Sequence, residues 1–291
     1  MQGTYLSDEV TVATTRLHRL SCPSYSTLLQ IVHPLATKSC ELDPVPSRIL
    51  LGCLDLLCPV IWKIVNLSLE TSIMPTELKQ AVIRPLLKKP SLDYEEFKNF
   101  WPISNVTFLS KVIQKVVALQ LVDYIDNNGL CEVFQSAYRA YHSTETALLR
   151  VYNDIAKSID NQKSVVLVLL DLSAAFDTVD HSLLLARLPR FGICDQALVW
   201  FRSYLSDRTQ YVRIQDVSSD VHALPYGVPQ GSLLGPLLYS LYTSPLGDIA
   251  RSHDLSYHFY ADDTQLYLSF ETSSPVHLLL KIVLKTLTFG C

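Results

Sequence analysis

An alternating pattern of side chains on both sides of two adjacent aspartates is the feature that most constrains this sequence. Residues 257–260 alternate in character before the pair, and residues 264–270 alternate apolar with polar or amphipathic side chains after it. Period-two alternation indicates β-strands, so the two runs predict a hairpin. Asp262 and Asp263 then lie where the hairpin reverses, and their carboxylates repel each other.

Two interpretations of this aspartate pair are open. Aspartates are common in plain turns, because Asp tolerates turn geometry and bonds to its own backbone. For this stretch alone, the plain turn is the favoured interpretation. However, neither carboxylate has a neighbouring Lys or Arg in the sequence. A bound divalent cation would offset the repulsion and is the second interpretation.

A second stretch changes this balance. Val165–Leu170 is an unbroken apolar run, which predicts a strand buried on both faces. The run ends in Asp171, and a buried carboxylate is costly unless it is paired or bound to a metal. Together, Asp171, Asp262 and Asp263 could hold two Mg²⁺ ions for phosphoryl transfer.

These motifs carry a family resemblance. Asp171, Phe176 five residues later and the Tyr-Ala-Asp-Asp of residues 260–263 resemble the catalytic core of a reverse transcriptase. Gly227–Tyr242 is similar to the loop and helix between those motifs. Residues 169–181 (LLDLSAAFDTVDH) and 134–149 (FQSAYRAYHSTETALL) resemble the non-LTR (LINE-type) retrotransposon branch. The resemblance runs from about Thr37 to about Phe270.

The resemblance implies an α+β fold, a right-hand polymerase palm and fingers with an antiparallel palm sheet. We expect a helical extension over residues 1–73, fingers over 74–160, a palm over 161–270 and a truncated helix over 271–291, with the reverse transcriptase domain spanning about 74–291. After Phe270 we expect the agreement with the family to fail. A helix from Val276 to Leu287 is predicted there, and a thumb is expected to be missing, so the chain is expected to be a partial or degenerate copy with little processive activity.

The resemblance also implies an activity, that of an RNA-directed DNA polymerase that adds dNTPs to the 3′-OH of a DNA primer on an RNA template. Asp171 and Asp262 would bridge two Mg²⁺ ions, with Mn²⁺ as a substitute, and Asp263 would complete the site. Phe176 would exclude a 2′-OH and so select dNTPs. The implied substrate-binding residues are Leu172, Ser173, Phe176, Gln230, Gly231, Lys111 and Arg139.

Charge and cysteine content bear on this interpretation. The net charge of −4 argues against nucleic-acid binding, since phosphate-gripping proteins are basic. The stretch from Lys79 to Lys115 nevertheless carries seven basic and three acidic residues, a surplus of +4, so the rest is −8. This stretch is either a solvated surface or a binding surface for nucleic acid and triphosphate. Seven cysteines without a CxxC pair indicate reduced core cysteines in an intracellular protein and disfavour a zinc site.

The sequence carries weaker indications of whether the chain meets a membrane and where in the cell it acts. No apolar run reaches the roughly 18–20 residues that span a bilayer, so no membrane partner is expected. The family resemblance implies cytoplasm and nucleus. The oligomeric state is left open by the sequence.

Departures from the family pattern keep rival functions open. Trp101 stands where the family usually has Arg, in Phe-Trp-Pro-Ile-Ser over residues 100–104, and a fixed positive charge is lost. A pseudo-polymerase that holds RNA without turnover is one rival. An RNA-directed RNA polymerase is another, although Phe176 and Ala261 argue against it. A purely structural protein would leave the three carboxylates unexplained.

Local patterns predict several further elements. Gln80–Leu87 is predicted to be a strand. A helix is predicted from Leu109 onward, with Val112, Val116 and Leu119 on one face. Ser47 is a predicted helix N-cap, and Cys58-Pro59 is predicted to interrupt the helix that follows it.

Overall fold

The computed structural model describes residues 13–37, 40, 42–171 and 174–271, in which helices accompany two β-sheets. This mixed composition confirms the predicted α+β class. The helix predicted from Val276 to Leu287 lies outside the described residues. Within the described residues, no helix combines the length and apolar character that a membrane crossing requires.

The helices and strands are numbered in chain order. The helices are α1 (Tyr25–Leu35), α2 (Ser47–Gly52), α3 (Leu54–Thr71), α4 (Phe108–Asn127), α5 (Thr144–Asp160), α6 (His181–Arg187), α7 (Asp195–Leu205), α8 (Gly235–Thr243) and α9 (Pro245–Ser252). The strands are β1 (Gln80–Leu87), β2 (Phe100–Val106), β3 (Lys163–Leu170), β4 (Thr209–Ile214), β5 (Val217–Ser218), β6 (His222–Ala223), β7 (Ser256–Tyr260) and β8 (Asp263–Glu271). Short 3₁₀ helices cover Thr76–Leu78, Phe97–Asn99 and Leu188–Phe191.

The chain divides into two compact units, each built from two separate stretches. The first unit comprises Met1–Leu130 and Phe176–Leu238, and the second comprises Cys131–Ala175 and Tyr239–Cys291. Each of the two sheets lies within a single unit, so each unit is described by itself.

The sheet of the first unit is mixed. β1 pairs antiparallel with β2 and parallel with β4, and β5 and β6 both pair antiparallel with β4. The predicted strand Gln80–Leu87 is confirmed as β1 with the same bounds. β2 was not predicted, and its Pro102 pairs with Pro85 of β1.

α4 supplies much of the first unit's core. Its N-cap is Thr107, whose side chain accepts a hydrogen bond from the Ser110 N–H. Val112 and Val116 of the predicted face are buried, whereas Leu119 of the same face is 38% exposed. The buried stripe continues instead through residues such as Leu121.

The helix break predicted at Cys58-Pro59 is also wrong. α3 runs through Pro59 without interruption, and the break falls at Cys53, between α2 and α3. Pro59 is the sixth residue of α3, so the helix continues through it without the backbone hydrogen bond that a residue with an N–H would make there. Ser47 is the first residue of α2, and its N-cap is Pro46.

The sheet of the second unit is a three-stranded antiparallel sheet in the order β3-β8-β7. β7 and β8 form the predicted hairpin. α5 packs against β3 and β7, and α9 packs against β7. The core of this unit is a cluster of buried side chains: Ala250, Leu255, Tyr257, Phe259 and Leu266.

β3 is not buried on both faces, contrary to the prediction from its apolar run. Val168 and Leu170 pack against the core cluster, whereas Leu167 and Leu169 are 41% and 68% exposed. The physical reason is that successive side chains of a strand point to opposite faces of the sheet, and only the face that carries Val168 and Leu170 is packed against the core cluster.

The basic stretch from Lys79 to Lys115 is not a single exposed surface. Lys79 is only 4% exposed, and burial lowers its pKa, with Arg208 adding to that effect and Asp207 opposing it. Lys98 pairs with Glu96 at 3.1 Å. The surplus of positive charge that the sequence counts there is therefore partly internal or locally compensated.

Candidate active site

The turn between β7 and β8 presents the first carboxylate. Tyr260 pairs with Asp263, so Ala261 and Asp262 are the two turn residues. Ala261 has a φ of +57°, a left-handed conformation that costs an L-residue about 1–2 kcal/mol. Asp262 is not among the positive-φ residues, and a positive φ at only the first turn position is typical of a type II′ hairpin, which usually has Gly there.

The sheet register brings the third carboxylate to the same end of the hairpin. In the β3–β8 pairing, Leu170 lies opposite Thr264. Because the strands are antiparallel, the next residue, Asp171, comes opposite Asp263. Asp171, Asp262 and Asp263 therefore gather at one end of the second unit's sheet.

Electrostatics at this end of the sheet are unfavourable for three ionised carboxylates. Burial, followed by the Asp262 and Asp171 carboxylates, raises the pKa of Asp263 above its ordinary value. Among the described residues, no lysine or arginine forms an ion pair with any of the three. Within the described ranges, no cationic side chain is therefore ion-paired with their oxygens.

The donor set suits Mg²⁺, which prefers carboxylate oxygens and seldom uses an all-protein cage. The ligand atoms of the three aspartates do not all lie within 4.8 Å of one another. The three aspartates therefore do not form a closed cage around a single ion.

A different cluster is more compact. In the part of the chain that the structure describes, only His18, Cys194 and Asp195 bring their ligand atoms within 4.8 Å of one another. His18 Nδ1 lies 2.6 Å from Asp195 Oδ2, and a hydrogen bond from His18 lowers the pKa of Asp195. Asp195 begins α7, and the positive end of a helix dipole disfavours a cation. We therefore interpret His18 and Asp195 as a hydrogen-bonded pair at the start of α7, rather than as metal ligands.

Two phenols lie near Asp262, and neither was predicted as a site residue. Burial first, and the Asp262 carboxylate next, raise the pKa of both Tyr138 and Tyr239. Tyr239 is 2% exposed on α8, whereas Tyr138 is 47% exposed and has a φ of +62°. Tyr138 belongs to the 134–149 stretch that carried the family resemblance, which is the only signal that could have pointed to it.

The glycine-containing loop from Gly227 to Gly231 lies in the first unit. The Val228 N–H donates to the Phe176 carbonyl at 2.8 Å, and the Ser104 N–H donates to the Gln230 carbonyl at 2.7 Å. The Gln230 side-chain amide donates to Asp177 at 3.4 Å, and burial raises the pKa of Asp177. Asp177 was not predicted, although it directly follows Phe176.

The remaining predicted residues divide between the units. Arg139, in the second unit, donates from Nη1 to the carbonyls of Glu132 and Gln135 at 3.3 and 3.2 Å. Lys111 lies on α4 in the first unit. Phe176, Gln230 and Gly231 also belong to the first unit, in the stretch Phe176–Leu238. Leu172 and Ser173 lie outside the described residues.

The α+β fold, the adjacent aspartates at its hairpin turn and the third aspartate in register agree with the class that the sequence resemblance predicts, the nucleic-acid polymerases. Comparison with known sequences then gives the family. The sequence model described as reverse transcriptase (RNA-dependent DNA polymerase) matches residues 87–289, and the chain belongs to that family. The match begins later than the predicted Thr37 and continues past Phe270, where agreement was expected to fail.

Relatives place the chain in the non-LTR retrotransposon branch. It is 30% identical over 239 residues to the probable RNA-directed DNA polymerase from transposon BS of Drosophila melanogaster, covering 78% of this chain and 26% of that protein. It is 31% identical over 209 residues to the RNA-directed DNA polymerase from mobile element jockey of the same species, covering 69% and 22%. The chain thus spans about a quarter of the length of these relatives.

Proposed function

We propose that this chain is the polymerase core of a retrotransposon reverse transcriptase, which adds dNTPs to the 3′-OH of a DNA primer on an RNA template. The observation that carries the proposal is the set of three aspartates at the end of the β3-β8-β7 sheet, two of which raise the pKa of the third. In this proposal the β3-β8-β7 sheet is the palm sheet, and the β1–β2 pair belongs to the fingers. The protein would act in the cytoplasm and nucleus.

The aspartates would act as ligands. Asp171 and Asp262 would each offer carboxylate oxygens to two divalent cations, and Asp263 would complete the set. When bound, Mg²⁺ would lower the pKa of the primer 3′-OH and neutralise the triphosphate and the leaving pyrophosphate. The absence of a cationic partner for these aspartates among the described residues supports this role, because a lysine or arginine there would compete for the same oxygens.

Other side chains would bind and select the nucleotide. The Phe176 ring would lie under the incoming sugar and exclude a 2′-OH. The backbone at Leu172 and Ser173 would contact the triphosphate. Gln230 and Gly231 would shape the pocket for template base and nucleotide, with Asp177 orienting the Gln230 amide. Lys111 and Arg139 would supply positive charge to phosphates.

Asp262→Asn is the variant that tests the proposal. It removes one negative charge from a half-buried turn position and keeps the side-chain shape, so the fold should be unaffected. We expect loss of Mg²⁺-dependent extension of a DNA primer on an RNA template, by roughly a hundredfold or more. Circular dichroism and thermal unfolding of the variant provide the control. Equal extension by the variant and the unaltered chain would refute the assignment.

A second candidate function is RNA binding without turnover. Trp101 favours it, because this residue replaces a guanidinium and is 49% exposed on β2. Binding of a primer–template by the unaltered chain, without any extension in Mg²⁺ or Mn²⁺, would support this alternative. Recovery of extension in Trp101→Arg would then identify the lost positive charge as the cause.

A further inference from the structure

A buried glutamine holds the turn that carries Asp262. Gln135 is 5% exposed, and its Oε1 accepts hydrogen bonds from the backbone N–H groups of Ala261 at 3.2 Å and Ala137 at 2.9 Å. Its Nε2 donates to the Ala261 carbonyl at 3.5 Å. One side-chain amide therefore binds both backbone polar groups of the residue that precedes Asp262.

The backbone around Gln135 is fixed independently of this side chain. The Phe259 N–H donates to the Phe134 carbonyl at 2.8 Å, and the Ser136 N–H donates to the Phe259 carbonyl at 3.0 Å. These bonds form a parallel bridge between Gln135 and Phe259 beside β7. The segment around Gln135 thus lies along the outer edge of β7. This position brings the Gln135 side-chain amide next to the turn.

A polar network anchors the start of the same segment. The Glu132 side chain is 7% exposed and accepts from the Tyr257 hydroxyl at 2.6 Å and from Arg251 at 3.2 Å. Arg139 donates to the carbonyls of both Glu132 and Gln135. The segment is therefore held from both sides, which limits how far the Gln135 amide can move.

The turn needs this support because of its residue type. Ala261 adopts a positive φ at a position that usually has Gly. Two hydrogen bonds with the Gln135 amide offset that intrinsic preference. Because the amide is neutral, it supports the turn without adding charge beside the three carboxylates.

We propose that Gln135 is a positioning residue, which keeps Ala261 in its left-handed conformation and thereby orients the Asp262 carboxylate for cation binding. The inference rests on the proposed role of the carboxylates. Partners that orient a metal ligand typically contribute roughly 10- to 100-fold to metal affinity. We expect a comparable effect from Gln135, although it contacts the backbone of the preceding residue rather than the carboxylate.

Mn²⁺ binding to the 291-residue chain, measured by electron paramagnetic resonance, tests the role without requiring polymerase activity. Asp262→Asn should abolish the site. Gln135→Leu, which removes the amide and keeps the volume, should weaken binding roughly 10- to 100-fold. Ser136→Ala is the matched control, because Ser136 is a buried neighbour that bonds to His258 at 2.9 Å and not to the turn. It should bind Mn²⁺ within about twofold of the unaltered chain.

A double variant separates positioning from general destabilisation. Gly adopts a positive φ readily, so Ala261→Gly should make the turn less dependent on the amide. Adding it to Gln135→Leu should recover roughly tenfold in Mn²⁺ affinity. A defect caused only by a disturbed core would not be relieved by a glycine in the turn. Should Gln135→Leu unfold, Gln135→Asn keeps the amide but shortens its reach, and the same loss and recovery are expected.

The outcomes distinguish the inference from the function it rests on. Mn²⁺ binding that requires Asp262 but is unchanged in Gln135→Leu would overturn the positioning role alone. A Gln135→Leu defect that Ala261→Gly leaves untouched would overturn it as well. Mn²⁺ binding that does not depend on Asp262 would overturn the proposed metal site and, with it, the role of Gln135.

Discussion

Gly231 offers the sharpest stability test of the loop that is predicted to shape the nucleotide pocket. Its φ is +102°, and a Cβ added there would lie 2.7 Å from the Ser104 carbonyl oxygen. Ser104 is a residue of β2 whose N–H donates to the Gln230 carbonyl at 2.7 Å. Gly231→Ala must therefore push on backbone rather than on a flexible side chain.

Two contributions set the size of the effect. A non-glycine residue in a sparsely populated positive-φ region costs about 1–3 kcal/mol. Separating the loop from β2 to relieve the contact also weakens the Ser104–Gln230 hydrogen bond, which contributes about 1 kcal/mol. We expect Gly231→Ala to lower the free energy of unfolding by about 2–4 kcal/mol in total.

Gly129→Ala is the matched control. Gly129 has a φ of +61° in the same unit, but nothing lies within 4 Å of an added Cβ. It should lose only the conformational contribution, about 1–2 kcal/mol. Urea unfolding of both variants, followed by circular dichroism, gives the comparison. Equal losses in the two variants would contradict the steric argument at Ser104.

Two further predictions concern the aspartates and Phe176. Phe176→Ala should raise incorporation of rNTPs relative to dNTPs, because the ring no longer blocks the 2′-OH, and an unchanged ratio in single-nucleotide extension would mark Phe176 as a packing residue only. Asp263→Asn should raise the midpoint of thermal unfolding by about 1–2 °C at neutral pH without divalent ions. Since the folded-state pKa of Asp263 is raised, its protonation is stabilising below the unfolded value of about 3.9 and this contribution is lost as the pH rises through the folded pKa. The gain from Asn should therefore shrink on acidification, and a gain that persists there would point to a cause other than charge repulsion.

Local patterns predicted the elements that depend on nearby residues. The β7–β8 hairpin follows from alternation and a two-residue turn, and β1 follows from its own run with the same bounds. The Asp262-Asp263 pair is part of that local signal. These predictions succeed because strand periodicity and turn chemistry are encoded within a few residues.

Tertiary context decided what the sequence could not. The run Val165–Leu170 reads the same whether one or both faces of the strand are covered, and only the tertiary packing leaves Leu167 and Leu169 exposed. Counting charges could not reveal that Lys79 is buried. In each case, a neighbour distant in sequence overrides the local preference.

The candidate site itself depends on pairings of this distant kind. The end of the apolar run Val165–Leu170 singled out Asp171, but its place opposite Asp263 comes from the register of β3 against β8. Gln135 lies 126 residues from Ala261, and a neutral amide contributes nothing to charge or periodicity, so no sequence pattern could connect the two. Both pairings lie in the second unit, which combines Cys131–Ala175 with Tyr239–Cys291. The cation site at the aspartates should therefore form only when these two stretches of chain have paired. Substitutions at Gln135 act on the contact between the same two stretches.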